Sequence, residues 1–314
     1  MFDKIKHFLR NTFLPWLEKT ERVLEGQTGY RKRQPANTAS SEGAAGIQET
    51  EGSIPQMPQE EHHHHAMHAG ENGLSAAGQA IVASLEPQVL WQQGKESEIM
   101  LRLQWEGGGP VLPDALEEHH EAPIHLFAVT ESFQDFHHLH PEPVKGQPGL
   151  YRFTMSPHRQ ENYRFYTETL SPDGTMSVAL ASLPSPVAGQ ESTLEADASQ
   201  LAVSSHVMFA SEPQVGKRQA LTVTLMENGE PLSGLERFKG SFCHVIGLHE
   251  DGKTLLHLHP ANPEDKEPPF LMNAMFPKEG TYHFYVQFSR EGELQTQHHA
   301  VQVERQLSQG LRVL

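Results

Sequence analysis

Six pairs of residues in this chain stand at one fixed separation. His125 and His244, His138 and His257, His140 and His259, Pro141 and Pro260, Tyr163 and Tyr282, and Phe165 and Phe284 are each 119 positions apart, with no gap from the first pair to the last. Further upstream, "ASLEPQV" at 83–89 answers "ASEPQV" at 210–215, and a Gly-Lys pair follows each, at 94–95 and 216–217. So steady an offset means that one structural unit is written twice. The fold must therefore be one that roughly 105 residues can complete, a size within the usual range for a domain. The two copies are expected at 79–186 and 203–306, joined by a linker at 187–202 and followed by a tail at 307–314.

Within each copy the apolar residues alternate over short segments, as in "IMLRLQW" and "LTVTLME". Turn-forming clusters such as "EGGGP", "SPDG", "ENGEP" and "HEDGK" separate them. Period-two patterning between Gly, Pro and Asp clusters is the signature of strands. About seven such segments per copy, with no long amphipathic helix, predict an all-β chain of two tandem antiparallel sandwiches, immunoglobulin-like or cupredoxin-like. Ahead of them, residues 1–25 place Phe2, Ile5, Leu9, Phe13 and Trp16 on one helical face and Asp3, His7, Asn11 and Glu18 opposite. That is the pattern of an amphipathic helix lying on a membrane surface or docked loosely on the protein. Residues 26–78 are rich in Gly, Ser, Gln, Glu and Pro and predict a disordered tether. It carries "EEHHHHAMHAG", a His/Met tract suited to collecting soft or borderline cations.

Charge narrows the partners. Lys and Arg total 24 against 40 Asp and Glu, a formal charge of −16, which repels phosphate backbones and argues against nucleic acid. Cations suit it better, and 21 histidines supply ligands for them. Cys243 is the sole cysteine, which excludes an internal disulfide and thiolate zinc sites. No run of 18 apolar residues predicts a spanning helix. The N-terminal segment does not read as a signal peptide, which by itself points to a cytoplasmic or peripheral membrane protein.

The repeated histidines predict a specific geometry. If "IHLFAV" and "FHHLH" form a hairpin with Val129 opposite Phe136, then His125 lies opposite His140. His138 and His140 project from the same face because side chains alternate along a strand. In the second copy Leu248 opposite Leu255 sets His244 against His259, with His257 on the same side. Three imidazoles then converge in each copy, while Pro141 and Pro260 end the strands. Neutral imidazoles with open coordination positions suit copper first, then zinc or nickel. The candidate metal ligands are His125, His138, His140 and His120 in the first copy and His244, His257, His259 and His299 in the second. His119, His249 and His298 are further possibilities. Met100, Met155, Met208, Met272 and Met275 are more simply read as core residues than as thioether ligands.

Other readings stay open. The imidazoles at the strand ends would also serve a purely structural or adhesive sandwich. His257, His259, Glu264 and His283 approximate the ligand set of a cupin-like metalloenzyme, but Val144, Lys145 and Arg164 break that set in the first copy. No nucleophile–base pair and no phosphate-binding glycine loop is present.

The stretch "HEAPIHLFAVTESFQDFHHLHPE" resembles the YtkA-like and, more distantly, CopC-like β-sandwich proteins of the bacterial envelope. It matches their pattern at His120, Glu121, Pro123, His125, Phe136, His138, His140 and Pro141. Gly280 and Tyr282 in "FPKEGTYHFYVQF" resemble their Gly-x-Tyr strand. The resemblance implies copper or heavy-metal handling in the cell envelope. The second copy departs from it by lacking the leading His-Glu, and the first has Asn162 where the second has Gly280.

Overall fold

The computed structural model describes residues 80–87, 91–186 and 203–305 throughout, and the backbone of 66–68. The expected amphipathic helix at 1–25, most of the tether, the linker at 187–202 and the tail at 307–314 lie outside the described residues. Within the expected tether, Ala66–His68 (β1) is a short strand.

In the first sandwich, β2 (Ile81–Pro87), β3 (Ser97–Trp105), β7 (Leu150–Met155) and β6 (Glu142–Pro143) form one sheet. The other holds β5 (Phe136–Leu139), β4 (Ile124–Thr130), β8 (Tyr163–Leu170) and β9 (Met176–Leu183) in that order. The second sandwich repeats the plan. Strand β11 (Arg218–Glu227) carries β10 (Val203–Phe209), β16 (Phe270–Met275) and the short β12 (Glu230–Pro231). Opposite lie β15 (Thr254–Leu258), β14 (His244–His249) and β17 (Gly280–Arg290), the last also paired with β13 (Leu235–Glu236) and β18 (Glu293–Val303). Strand β1 lies antiparallel to β15, with Ala66 opposite Leu256. All pairings between named strands are antiparallel, and no α-helix occurs among the described residues. The architecture is that of tandem β-sandwiches.

Strand alternation builds three apolar layers rather than two. On β4, Ile124, Leu126 and Ala128 point into the first core with Ile99, Leu101, Tyr151 and Phe165. On β14 and β17, Val245, Phe284, Val286 and Phe288 point into the second. Met155 and Met272 pack in these two cores, as the plainer reading of the methionines expects, whereas Met275 is exposed. The opposite faces of the same strands supply a third cluster. Phe127, Val129, Phe133 and Tyr166 of the first sandwich meet Ile246, Leu248, Leu255 and Tyr285 of the second. Every residue of β4, β14 and β15 is consequently buried. A sheet covered on both faces needs apolar residues at both alternations, which "IHLFAVT" and "HVIGLH" supply.

This third layer is reciprocal but chemically uneven. Tyr285 donates its hydroxyl to the Phe133 carbonyl at 2.9 Å. Tyr166, its counterpart at the offset of 119, buries a hydroxyl that has no hydrogen-bond partner. Tyr285→Phe is expected to cost about 1 kcal/mol, whereas Tyr166→Phe should leave stability unchanged or raise it by a similar amount. Parallel urea denaturation of the two variants checks this, and equal losses would refute it.

Candidate metal centre

The predicted hairpin registers are those observed. Val129 pairs with Phe136 and Leu126 with Leu139, so the next pair outward is His125 with His140. Leu248 pairs with Leu255 and Val245 with Leu258, which brings His244 to His259. Strands β5 and β15 stop just short of His140 and His259, each followed by its proline.

In the first triad, His125 Nδ1 lies 3.2 Å from His138 Nε2 and 3.1 Å from His140 Nε2. Three imidazole nitrogens bound to one ion at about 2.0–2.1 Å, with angles of 90–110°, stand about 2.9–3.4 Å apart, so the spacing fits a single metal ion. In the second triad His259 Nε2 is 2.9 Å from His244 Nδ1, and His257 brings a ring nitrogen within 4.8 Å of both. Both triads are groupings able to hold a metal ion.

The outer ring nitrogens fix the tautomers. His125 Nε2 donates to the His119 carbonyl at 2.8 Å, and His244 Nε2 donates to the equivalent Phe238 carbonyl at 2.7 Å. A carbonyl only accepts, so Nδ1 of each ring carries a lone pair. His138 Nδ1 donates to Gln287 Oε1 at 3.2 Å, the amide being oriented by Gln287 Nε2 donating to Thr296 Oγ1 at 2.9 Å. His257 Nδ1 donates to Glu168 Oε2 at 2.6 Å, and its Nε2 is buried with no hydrogen-bond partner. Each triad is thus backed by acceptors that aim the opposite nitrogens inward, the usual outer arrangement of a histidine metal site.

Burial, reinforced by neighbouring histidines, holds His125, His138, His244 and His259 well below the ordinary imidazole range. Burial likewise lowers His140 to about 3. These rings are neutral near pH 7, the form that ligates. For Glu168 burial favours the protonated acid, but the His257 and His119 rings outweigh it and hold the carboxyl well below its ordinary range.

The two triads share one interface between the sandwiches. The His125 and His257 ring centroids are 5.1 Å apart, and those of His138 and His244 are 5.2 Å apart. Two matching turns close over them. His120 and Glu121 have φ of 49° and 69°, Lys239 and Gly240 have 47° and 81°, and the turns abut, since a Cβ on Gly240 would lie 3.2 Å from the His120 carbonyl carbon. His120 sets its ring centroid 3.8 Å from that of His259, so this residue, assigned by sequence to the first copy's site, stands beside the second triad. Lys239, its counterpart, lines a pocket with His140, and burial lowers its ammonium to about 8.

Other candidates lie elsewhere. His299 does not join His244, His257 and His259: it sits on β18 with Nε2 2.7 Å from Ser205 Oγ. His298 pairs with His283 at 2.9 Å, and His249 donates to the Glu279 carbonyl at 2.9 Å. Glu264, from the cupin-like set, is exposed and pairs with Arg237 at 3.2 Å. Two groups escaped the sequence reading. One is Glu168. The other is buried Asp135, which holds His137 Nε2 at 3.2 Å, His158 Nδ1 at 3.0 Å and the Tyr163 hydroxyl. Asp135, His137 and His158 also form a grouping compatible with a metal ion, although the carboxylate already receives these donors.

No curated protein matches the chain. Among solved structures it is similar to a tetra-tandem repeat in the extending region of a large adhesion protein, at 8% identity and a TM-score of 0.23, covering 72% of this chain and 50% of that one. It is also similar to an ICAM-5 D1–D4 ectodomain fragment, at 17% identity and a TM-score of 0.21, covering 71% and 53% respectively. The chain spans about half the length of each. The family described as a domain of unknown function, DUF8832, matches at 78–195 and again at 201–305. With one match on each sandwich, and most of the chain covered, the protein belongs to the DUF8832 family and carries its domain twice.

Proposed function

We propose that this protein binds copper, with zinc the next choice, and sequesters it or passes it on without catalysing a reaction. The observation that carries this reading is the confrontation of lone pairs in the first triad. His125 Nδ1 and His138 Nε2 are 3.2 Å apart, yet the opposite nitrogen of each ring is committed to a carbonyl-type acceptor. Two neutral rings with facing lone pairs repel unless a cation lies between them, and their burial disfavours a proton in that role. A metal ion resolves the conflict. All-imidazole ligation suits copper and zinc, and the resemblance to YtkA-like and CopC-like envelope proteins favours copper.

His138→Ala with His140→Ala is expected to remove about one bound Cu(II) and leave the second triad's ion in place. Metal analysis after dialysis measures it, in a chain whose tract histidines, His62 to His65 and His68, are replaced by Gln. Retention of the full metal content by the double variant would refute the assignment, as would a parent that holds no Cu(II).

A further inference from the structure

The two triads are built to one plan, but the side chains around them differ. The His119 ring lies 4.4 Å from that of His125 where the second copy has Phe238, 6.0 Å from His244, and two further differences are swaps across the interface. Glu168 of the first sandwich backs His257 of the second, at 2.6 Å. Its counterpart at the offset of 119, Gln287 of the second sandwich, backs His138 of the first, at 3.2 Å. The same exchange holds at the turns. The imidazole of His120 lies against His259, whereas the ammonium-bearing Lys239 lies beside His140. Access differs in the same sense. All three histidines of the second triad are buried, while His140 of the first is partly exposed at a pocket of about 360 Å³ that Glu142, Arg152 and Lys239 also line.

On the reading that these triads bind metal, we infer that they do different work: His244, His257 and His259 hold a resident ion, and His125, His138 and His140 form the exchangeable site. A carboxylate behind a ligating imidazole strengthens it as a donor and places a negative charge near the ion, and loss of such an outer partner costs 10–100-fold in affinity. An amide supplies the orientation without the charge. An ammonium near the first triad opposes a bound cation, and the adjoining pocket gives the ion and an exchanging ligand a way in and out. Glu168 is a positioning residue for the second triad, and Lys239 lowers the affinity of the first.

The test uses the full chain with its tract histidines replaced by Gln, in two backgrounds: His138→Ala with His140→Ala leaves the second triad, and His244→Ala with His259→Ala leaves the first. Cu(II) affinity is measured by competition with a chelator. The second triad should bind at least about 10-fold more tightly. Glu168→Gln, which keeps the acceptor and reproduces the Gln287 environment, should weaken the second triad about 10-fold or more and change the first less than threefold. In the opposite direction, Gln287→Glu or Lys239→His should tighten the first. Equal affinities in the two backgrounds would overturn the inference while leaving metal binding intact, and so would Glu168→Gln and Gln287→Glu variants that change nothing. Absence of Cu(II) binding in both backgrounds and in the parent would instead remove the metal-binding reading on which the inference rests.

Discussion

In metal-stripped protein, His257→Ala is expected to lower stability by about 3–5 kcal/mol, more than any other single histidine change in the two triads. The reason lies across the interface. Glu168 is buried, and its nearest partners are His257 Nδ1 at 2.6 Å and His119 Nε2 at 3.8 Å. Removing His257 strands a carboxylate where water cannot replace the lost bond, so the cost is that of an uncompensated buried charge. His138→Ala removes an equivalent ring, but the partner it leaves is the neutral Gln287 amide, and the expected loss is about 1–3 kcal/mol. Chemical denaturation in a chelating buffer separates the two. The charge argument further expects Glu168→Leu to recover part of the stability lost in His257→Leu when the two are combined. Equal losses for His257→Ala and His138→Ala would show that Glu168 is not the source.

Asp135→Ala should be nearly as damaging, at about 3 kcal/mol or more, although Asp135 belongs to neither triad. Its buried carboxylate gathers His137, His158, the His158 backbone N–H and the Tyr163 hydroxyl, tying the start of β5 to the start of β8. Burial favours the acid form of Asp135, but the hydrogen bonds from His137 and His158 prevail and hold the group well below the ordinary carboxylate range. The same bond raises His158 above the ordinary imidazole range. These shifts set the pH dependence. A depressed Asp135 contributes stability above about pH 4 that is lost as pH falls further. A raised His158 contributes stability that is complete below about pH 6.5 and is lost as pH climbs through its folded value. The network is therefore worth most between about pH 4 and 6.5, and thermal melts across pH 3–9 should be flatter for Asp135→Ala than for the parent. Curves that run parallel over the whole range would exclude this network as a source of pH-dependent stability.

Much of each triad could be read from residue order alone, because strand register is local. Once Val129 faces Phe136, the meeting of His125 with His140 follows from the period-two geometry, and the repeat supplies the same deduction for His244 and His259. What covers the outer face of a sheet is a different matter. Phe127, Val129, Ile246 and Leu248 carry a signal that their strands are buried on both sides, but that signal does not name the covering surface. With the docking unknown, nothing in the sequence sets Glu168 apart from any other strand carboxylate, and His120 is assigned to its own copy. His299 failed for the opposite reason: pairing along β17 and β18 carries it to Ser205, a separation of 94 residues that no local pattern encodes. Asp135 was missed because its partners, His158 and Tyr163, come from later in the chain and its repeat counterpart is Thr254.

The way the sandwiches meet has one more consequence. Contacts exchanged reciprocally between like surfaces are the mark of a symmetric homodimer, in which identical subunits bury the same patch. In such a dimer any substitution appears on both subunits at once, so a carboxylate behind one imidazole would be a carboxylate behind the other. Covalent fusion of the two halves lifts that restriction. It keeps the reciprocal geometry of a dimer while letting position 168 be Glu and position 287 be Gln, a difference that two copies of one shorter gene product could not express.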